Sequence, residues 1–416
     1  MRTENSLRNH QELKTLTPGG VSSPVRAFEP GPIFIEKGNG CNMMDIDGNN
    51  YLDLCMAYGP LILGHSHPSV VSAIEQQAKK GTVYGAPSLP EKELISEISN
   101  RVPCAEVVRL VNSGTEATMH AIRLARGYTG KRAIVKMKGG FHGSHDAVLS
   151  DRSQRSMKNG ILSETASCTY AVEYNSEEQM EFLLDGNDDI AAVIMEPVLG
   201  NAGVVPPRRG YLEKVRKMTW DKGVLLIFDE VITGFRLSAG GAQEFYNVVP
   251  DLCTMGKIMG GGLPAGAFAG RREIMQNLAP AGPVYQAGTF SGNPLTAAAG
   301  VAALREMTKN RYTSLNKMGS NLAAAISDSL EDSKIPATIN AVGSMFQVFL
   351  GVNSVCNGTE AQGCDREKYK DLFRRMLDSG IYLPPAALEV SFLSTEHGPE
   401  LQWLSEAFDM NLRRIL

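Results

Sequence analysis

The chain has 416 residues, long enough to bury a large core and to form two or three domains. Hydrophobic residues make up 43% and charged residues 21%, a globular balance that excludes a disordered or fibrous chain. A formal net charge of −4 leaves no electrostatic footprint for nucleic acid or an anionic membrane, and no stretch approaches the ~20 apolar residues of a membrane span. The seven cysteines are scattered and free of CxxC spacing. With no N-terminal signal-peptide pattern, they are expected to be reduced thiols in a cytoplasmic protein.

The first 50 or so residues are turn-rich, with Thr17-Pro18-Gly19-Gly20 and Ser22-Ser23-Pro24. A hairpin is expected next, its arms Pro32–Glu36 and Asn42–Ile46 flanking Gly38-Asn39-Gly40. From about 90 to 270, short β-rich runs alternate with helical patterns. Strands are expected over Val107–Val111, Ala133–Met137, Ala191–Met195 and Val224–Phe228, and helices over Glu91–Arg101, Glu116–Arg126 and Tyr211–Lys222. Near-continuous apolar strands separated by helices predict an α/β fold with a mostly parallel sheet covered on both faces. Residues 151–170 are polar and aperiodic, which suggests a surface loop and a mobile lid.

After about residue 296 the pattern changes. A helix opens at Leu295, another runs near Asn316–Leu330, and a strand follows at Met345–Leu350. Beyond it come a helix over Arg366–Asp378 and an amphipathic stretch from Pro399. The expected organisation is therefore an N-terminal segment over 1–55, a large α/β domain over 56–295 and a smaller α+β domain over 296–416. There is no internal repeat.

Four places could carry chemistry. Ile227-Phe228-Asp229-Glu230-Val231 ends an apolar strand in an acid, at the sheet edge where α/β proteins bind ligands. Asp229 could be a helix cap, a Walker-B-like acid or the partner of a pyridinium nitrogen. No GxxxxGK[ST] occurs to support the second. Lys257 stands alone in the apolar run Thr254-Met255-Gly256-Lys257-Ile258-Met259 before three glycines. A buried ammonium is costly unless paired, driven neutral or consumed as an imine, although an isolated lysine usually snorkels to solvent. Gly260–Ala265 formally match GxGxxA without a clear strand and helix around them, so they are expected to serve close packing.

Val111-Asn112-Ser113-Gly114-Thr115-Glu116 closes a strand and opens a helix. Its free N–H groups and the Ser113 and Thr115 hydroxyls can cradle an anion, and Ser113 with Glu116 also fits a capping motif that needs no ligand. His65-Ser66-His67 and His142-Gly143-Ser144-His145 lie in Gly/Ser/Pro-rich turns with no cysteine or carboxylate cluster to complete a ligand set, so no metal is expected.

Together these residues resemble the class III, fold-type I aminotransferases that use pyridoxal phosphate. The matching segments are Ser113-Gly114-Thr115-Glu116-Ala117, Phe141-His142-Gly143, Glu196-Pro197, Asp229–Arg236 and Gly256-Lys257, in order across the large domain. Pro18–Phe28, Gly59–His65, Gly85-Ala86-Pro87, Gly282–Thr289 and Tyr382–Glu389 are most similar to a branch that moves an amino group within one substrate.

The resemblance implies the cofactor pyridoxal 5'-phosphate, cycling through its pyridoxamine form. It implies Lys257 as the Schiff-base lysine and proton carrier, and Asp229 on the pyridine nitrogen. Ser113, Gly114 and Thr115 would bind the phosphate, with Gly288 and Thr289 from the neighbouring subunit of a homodimer. Phe141 would lie on the ring face, and His142, Glu196 and Ile232 would complete the cofactor pocket. Ser23, Arg26, Tyr58 and Glu389 are the implied substrate contacts, Arg26 suiting a carboxylate through its planar fork.

The implied reaction exchanges amino and oxo groups on adjacent carbons of a five-carbon amino-aldehyde acid, giving 5-aminolevulinate for tetrapyrrole synthesis. Two features depart from the family: Tyr58 stands where Trp is usual, and the loop after His145-Asp146 is short and lacks a Lys-Ala-Gly-Ser-Gly stretch. They leave open a related aminotransferase with another amino donor, a β-amino acid among them, and a keto-acid acceptor.

Overall fold

A computed structural model describes residues 2–153, 160–331 and 335–415. Its contacts divide the chain into a smaller unit, Met1–His67 with Ser314–Val355 and Ala361–Leu416, and a larger one, Pro68–Thr313 with Cys356–Glu360. The sequence-based boundaries at 55/56 and 295/296 lie elsewhere. The helix Pro294–Glu306 packs on the helices Pro68–Ala78 and Leu89–Arg101, which keeps it with the larger unit.

In the smaller unit, β1 (Ile35–Asn39), β2 (Asn42–Asp45) and β3 (Asn50–Asp53) form an antiparallel meander. The expected hairpin is present, turning at Gly40 with φ +56. The helix Glu4–Lys14 was not expected. Thr3 makes no side-chain cap; instead the Asp47 carboxylate accepts the N–H groups of Asn5 at 2.7 Å and Ser6 at 2.9 Å. That cap comes from 41 or more residues away, so the local sequence carries no start signal.

The larger unit is built on one seven-stranded sheet. Its strands are β4 (Val107–Val111), β5 (Ala133–Met137), β6 (Thr169–Val172), β7 (Ile190–Met195), β8 (Leu225–Glu230), β9 (Leu252–Gly256) and β10 (Gly266–Gly270). They lie in the order β4-β10-β9-β8-β7-β5-β6, with β10 antiparallel and the rest sharing one direction. β7 and β8 are buried along their whole length, as continuous apolar runs between two helical layers must be.

The helix Gly114–Thr129 starts at the Ser113 cap and stops at Gly130, φ +68. It buries Ala117, Ala121, Leu124 and Ala125 in a core shared with Ile194, Ile227 and Phe268. Of the polar stretch 151–170, residues 154–159 lie outside the described residues. The rest is not all loop: Ser163–Ser167 is helical and Thr169 begins β6, which pairs with β5.

The smaller unit continues with β11 (Ala337–Val342), β12 (Met345–Leu350), β13 (Ile381–Tyr382) and β14 (Ser391–Phe392). β13 joins β3 in parallel, and β11-β12-β14 form a separate antiparallel sheet. The helix Arg366–Asp378 buries Tyr369, Leu372, Phe373 and Met376 on one stripe. No helix among the described residues is long and apolar enough to cross a membrane.

Phe268 is fully buried on β10, the strand whose insertion joins β4 to β9. Phe268→Ala is expected to cost about 3–5 kcal/mol by leaving a cavity there, read as a lower urea midpoint for loss of the sheet. An unchanged midpoint would contradict the core assignment.

Candidate active site

The parallel strands of the larger unit end along one edge, and the functional residues predicted for this unit follow those ends. Asp229 lies in the last turn of β8, Glu196 just after β7, and Phe141 and His142 in the loop after β5. Lys257 immediately follows β9, and Ser113 follows β4. β10 ties the last two together, because Gly266 pairs with both Gly256 and Val111. A Cβ on Gly266 would sit 2.2 Å from the Ser113 carbonyl, so only glycine allows this approach.

Asp229 is 4% exposed and its carboxylate is well supplied with donors. His142 Nδ1 lies 2.7 Å from Oδ2, the Thr254 hydroxyl donates to Oδ1 at 2.9 Å, and the Val231 N–H donates to Oδ1 at 3.2 Å. These contacts reach both oxygens of the buried carboxyl group. Thr254 carries no signal in the sequence, because β9 is short, ends in glycine and does not read as a strand. Its register opposite Asp229 is what brings it into reach.

His142 is itself buried, and its Nε2 has no hydrogen-bond partner among the described residues. The loop that carries it crosses the edge closely. Gly143 has φ +93, and a Cβ there would lie 2.7 Å from Thr115. The Thr118 hydroxyl donates to the His142 carbonyl at 2.6 Å. Burial holds neighbouring His145 in its neutral form, with a pKa pushed down to about 4.

Glu196 is fully buried and anchors the same loop. Its carboxylate accepts the N–H groups of Phe141 at 3.1 Å and Gly200 at 2.9 Å, and the Asn201 amide at 2.9 Å. Burial pushes its pKa up to about 7; His142 and these donors oppose that shift and the Asp229 charge adds to it. Ile232 packs against Gly200, where a Cβ would meet it at 2.8 Å. The Phe141 ring, by contrast, is 51% exposed, leaving a flat apolar face open.

At the start of the helix Gly114–Thr129, Ser113 accepts the Glu116 N–H at 3.1 Å, the expected cap. Glu116 bonds the Asn112 N–H at 3.0 Å instead of completing a capping box with Ser113. The N–H groups of Gly114 and Thr115 remain without partners among the described residues, at the positive end of a 16-residue helix. That donor set fits an anionic group. Lys257 holds φ +48, a left-handed conformation that a non-glycine residue adopts under local constraint. Gly260–Ala265 do serve close packing: a Cβ on Gly260 would meet Ala265 at 2.8 Å, and one on Gly261 the Ala299 carbonyl at 2.5 Å. Gly288 and Thr289 lie exposed in the loop before Pro294.

The residues expected to contact the substrate, Ser23, Arg26, Tyr58 and Glu389, all belong to the smaller unit. A cavity of about 430 Å³ is lined by Arg26, Tyr58, Asp53 and His65 among others. Burial pushes the Tyr58 phenol well above its ordinary range; Cys55 and Glu389 add to the shift and Arg26 opposes it, so Glu389 acts on the same group. Ser23 precedes the turn Pro24–Arg26 and accepts the Arg26 N–H at 3.1 Å.

Residues 25–394 match the family model "Aminotransferase class-III", and the chain belongs to that family. A glutamate-1-semialdehyde 2,1-aminomutase of Methanobrevibacter smithii is 49% identical over 409 residues, covering 97% of this chain and 96% of that protein. Among solved structures, an omega-transaminase from Sphaerobacter thermophilus superposes with a TM-score of 0.92 at 30% identity, covering 99% of this chain and 97% of that one. A beta-phenylalanine aminotransferase from Variovorax paradoxus gives 0.90 at 28%, covering 99% and 94%. The fold is thus that of the class III transaminases, as the sequence resemblance implied.

The raised pKa of Glu196 has a consequence for stability. A carboxyl raised by burial binds its proton more tightly folded than unfolded, so its contribution is full below pH 4.5 and is lost as pH rises to about 7. Relative to wild type, Glu196→Gln is therefore expected to gain stability across that interval, by up to about 3 kcal/mol. Melting both proteins at several pH values tests this. A wild-type-to-variant difference that does not change with pH would rule it out.

Proposed function

We propose that this chain converts glutamate-1-semialdehyde, (S)-4-amino-5-oxopentanoate, into 5-aminolevulinate, with pyridoxal 5'-phosphate as cofactor. The observation that carries the cofactor assignment is the shared sheet edge: a buried, donor-rich carboxylate, a lysine in a constrained turn and an open helix N-terminus. The substrate assignment is supported by 49% identity across nearly the whole chain to an aminomutase, against 30% to the omega-transaminase.

Bound there, the cofactor supplies an electron sink for breaking bonds at the nitrogen-bearing carbon. Asp229, held in place by His142, Thr254 and the Val231 N–H, would pair with the ring nitrogen and keep its proton there. The N–H groups of Gly114 and Thr115, with the Ser113 and Thr115 hydroxyls, receive the phosphate. Phe141 offers its exposed face to a flat ring, with Glu196 fixing its backbone. Lys257 anchors the cofactor and moves protons between the two adjacent carbons. Arg26 takes the substrate carboxylate, while Ser23, Tyr58 and Glu389 orient the amino-bearing end. The exposed Gly288 and Thr289 suit a role across a homodimer interface, reaching the phosphate of the second copy. Seven cysteines outside disulfide bonds among the described residues fit a cytoplasmic enzyme.

The likeness to two transaminases keeps a second reaction in view, amino transfer to a keto acid. One assay separates them: the purified enzyme should turn over the semialdehyde with no added amino donor or keto acid, and an obligatory second substrate would make it an aminotransferase. Borohydride reduction followed by peptide mapping should put the pyridoxyl mass on the Lys257 peptide, and its appearance on another lysine would sink the anchor. Lys257→Ala is expected to lower turnover by about 10²–10⁴-fold or more, the usual worth of a proton-transfer group.

A further inference from the structure

The wall of the 430 Å³ cavity includes an unusual backbone segment. Met56, Ala57 and Tyr58 have φ +45, +54 and +65, three successive non-glycine residues in the left-handed region. Such a run persists only where the surroundings impose it. Asp53 does so from one end. It is 1% exposed, and its Oδ1 accepts the N–H groups of Cys55 and Met56, both at 2.9 Å. Its Oδ2 lies 2.8 Å from His65 Nε2.

His65 is in turn held rigidly. It exchanges two backbone hydrogen bonds with Gly40, at 2.7 and 3.0 Å. Its ring fits against Gly38, where a Cβ would come within 2.7 Å. At the far end of the run, the Tyr58 hydroxyl donates to the Val25 carbonyl at 2.7 Å. Val25 sits in the single turn Pro24–Arg26, directly before Arg26.

We propose that His65 and Asp53 are positioning residues that clamp the Met56–Tyr58 turn and, through the Tyr58 hydroxyl on Val25, set where Arg26 presents its guanidinium to the substrate carboxylate. This rests on Arg26 being the carboxylate ligand. The imidazole of His65 is thereby accounted for without a metal. The Tyr58 hydroxyl acts as a tether to backbone, since its donor is spent on Val25. A tether of one neutral hydrogen bond should act chiefly on substrate binding.

Tyr58→Phe removes the hydroxyl and keeps the ring, so it tests the tether without threatening the fold. In the holoenzyme, the variant should raise KM for the semialdehyde by about 3–10-fold, the worth of one hydrogen bond. His65→Ala should do the same, and the double variant should be no worse than the larger single effect, since both act through one route. Hydrogen exchange gives a second reading that needs no substrate: backbone amides over 21–28 should exchange on the order of 10-fold faster in both variants, with the larger unit and the cofactor absorbance unchanged. Wild-type exchange over 21–28 in Tyr58→Phe, additive losses in the double variant, or kcat and cofactor absorbance falling together would each overturn the proposal. If wild type fails to turn over the semialdehyde, the substrate assignment falls, and the exchange data still decide whether the clamp exists.

Discussion

A polar group nearly sealed from solvent needs hydrogen-bond partners from several directions, and Asp229 sets that requirement for the whole candidate site. His142, Thr254 and the Val231 N–H satisfy it. Each of these places a demand on the fold. Thr254 needs β9 beside β8 in one register. His142 needs the loop after β5 to fold back across the sheet edge, and that path runs so close to Thr115 that residue 143 must be glycine. Glu196 then fastens the loop through the Phe141 N–H.

The antiparallel β10 extends this logic to the Ser113 turn. Lys257 and the Ser113 turn belong to strands that are not neighbours, and the inserted strand spans the gap. Its first residue pairs with the last residues of both β4 and β9, so the two ends are level. Gly266 has no Cβ to push them apart. A strand reading Gly-Ala-Phe-Ala-Gly is poor in β-branched residues, and it is held in place by Phe268 in the core and by two flanking partners.

Those same properties explain what was legible in the sequence. The apolar runs of β4, β5, β7 and β8 announce themselves, because strands buried on both faces must be hydrophobic throughout. Asp229, Lys257 and the Ser113 turn stood out as polar interruptions of such runs. β9 and β10 did not, since glycine and alanine at their ends weaken the pattern while tertiary pairing makes up the difference. The helix Glu4–Lys14 escaped for a related reason: its first N–H groups are capped by Asp47, a residue with no local relation to it. Family resemblance filled part of this gap for Arg26, Tyr58 and Glu389, whose types and spacing carry no signal of their own.

Asp53 and His65 show where such resemblance stops being informative. His65 reads from sequence as a residue of a Gly/Ser/Pro-rich turn, and Asp53 carries no signal there. Only the folded smaller unit puts them 2.8 Å apart and sets Asp53 against the two N–H groups that open a strained turn. The conformational cost of three left-handed residues is borne by interactions that a smoother backbone would not need. Strain of this kind is tolerable in a domain whose core is secure elsewhere, and here β3 and its parallel partner β13 flank Asp53 directly. On the proposed clamp, local stability is traded for a fixed phenol, whose hydroxyl bonds Val25 in the turn that carries Arg26. With Arg26 as the proposed carboxylate ligand, specificity would depend as much on groups that never touch the substrate as on the guanidinium itself.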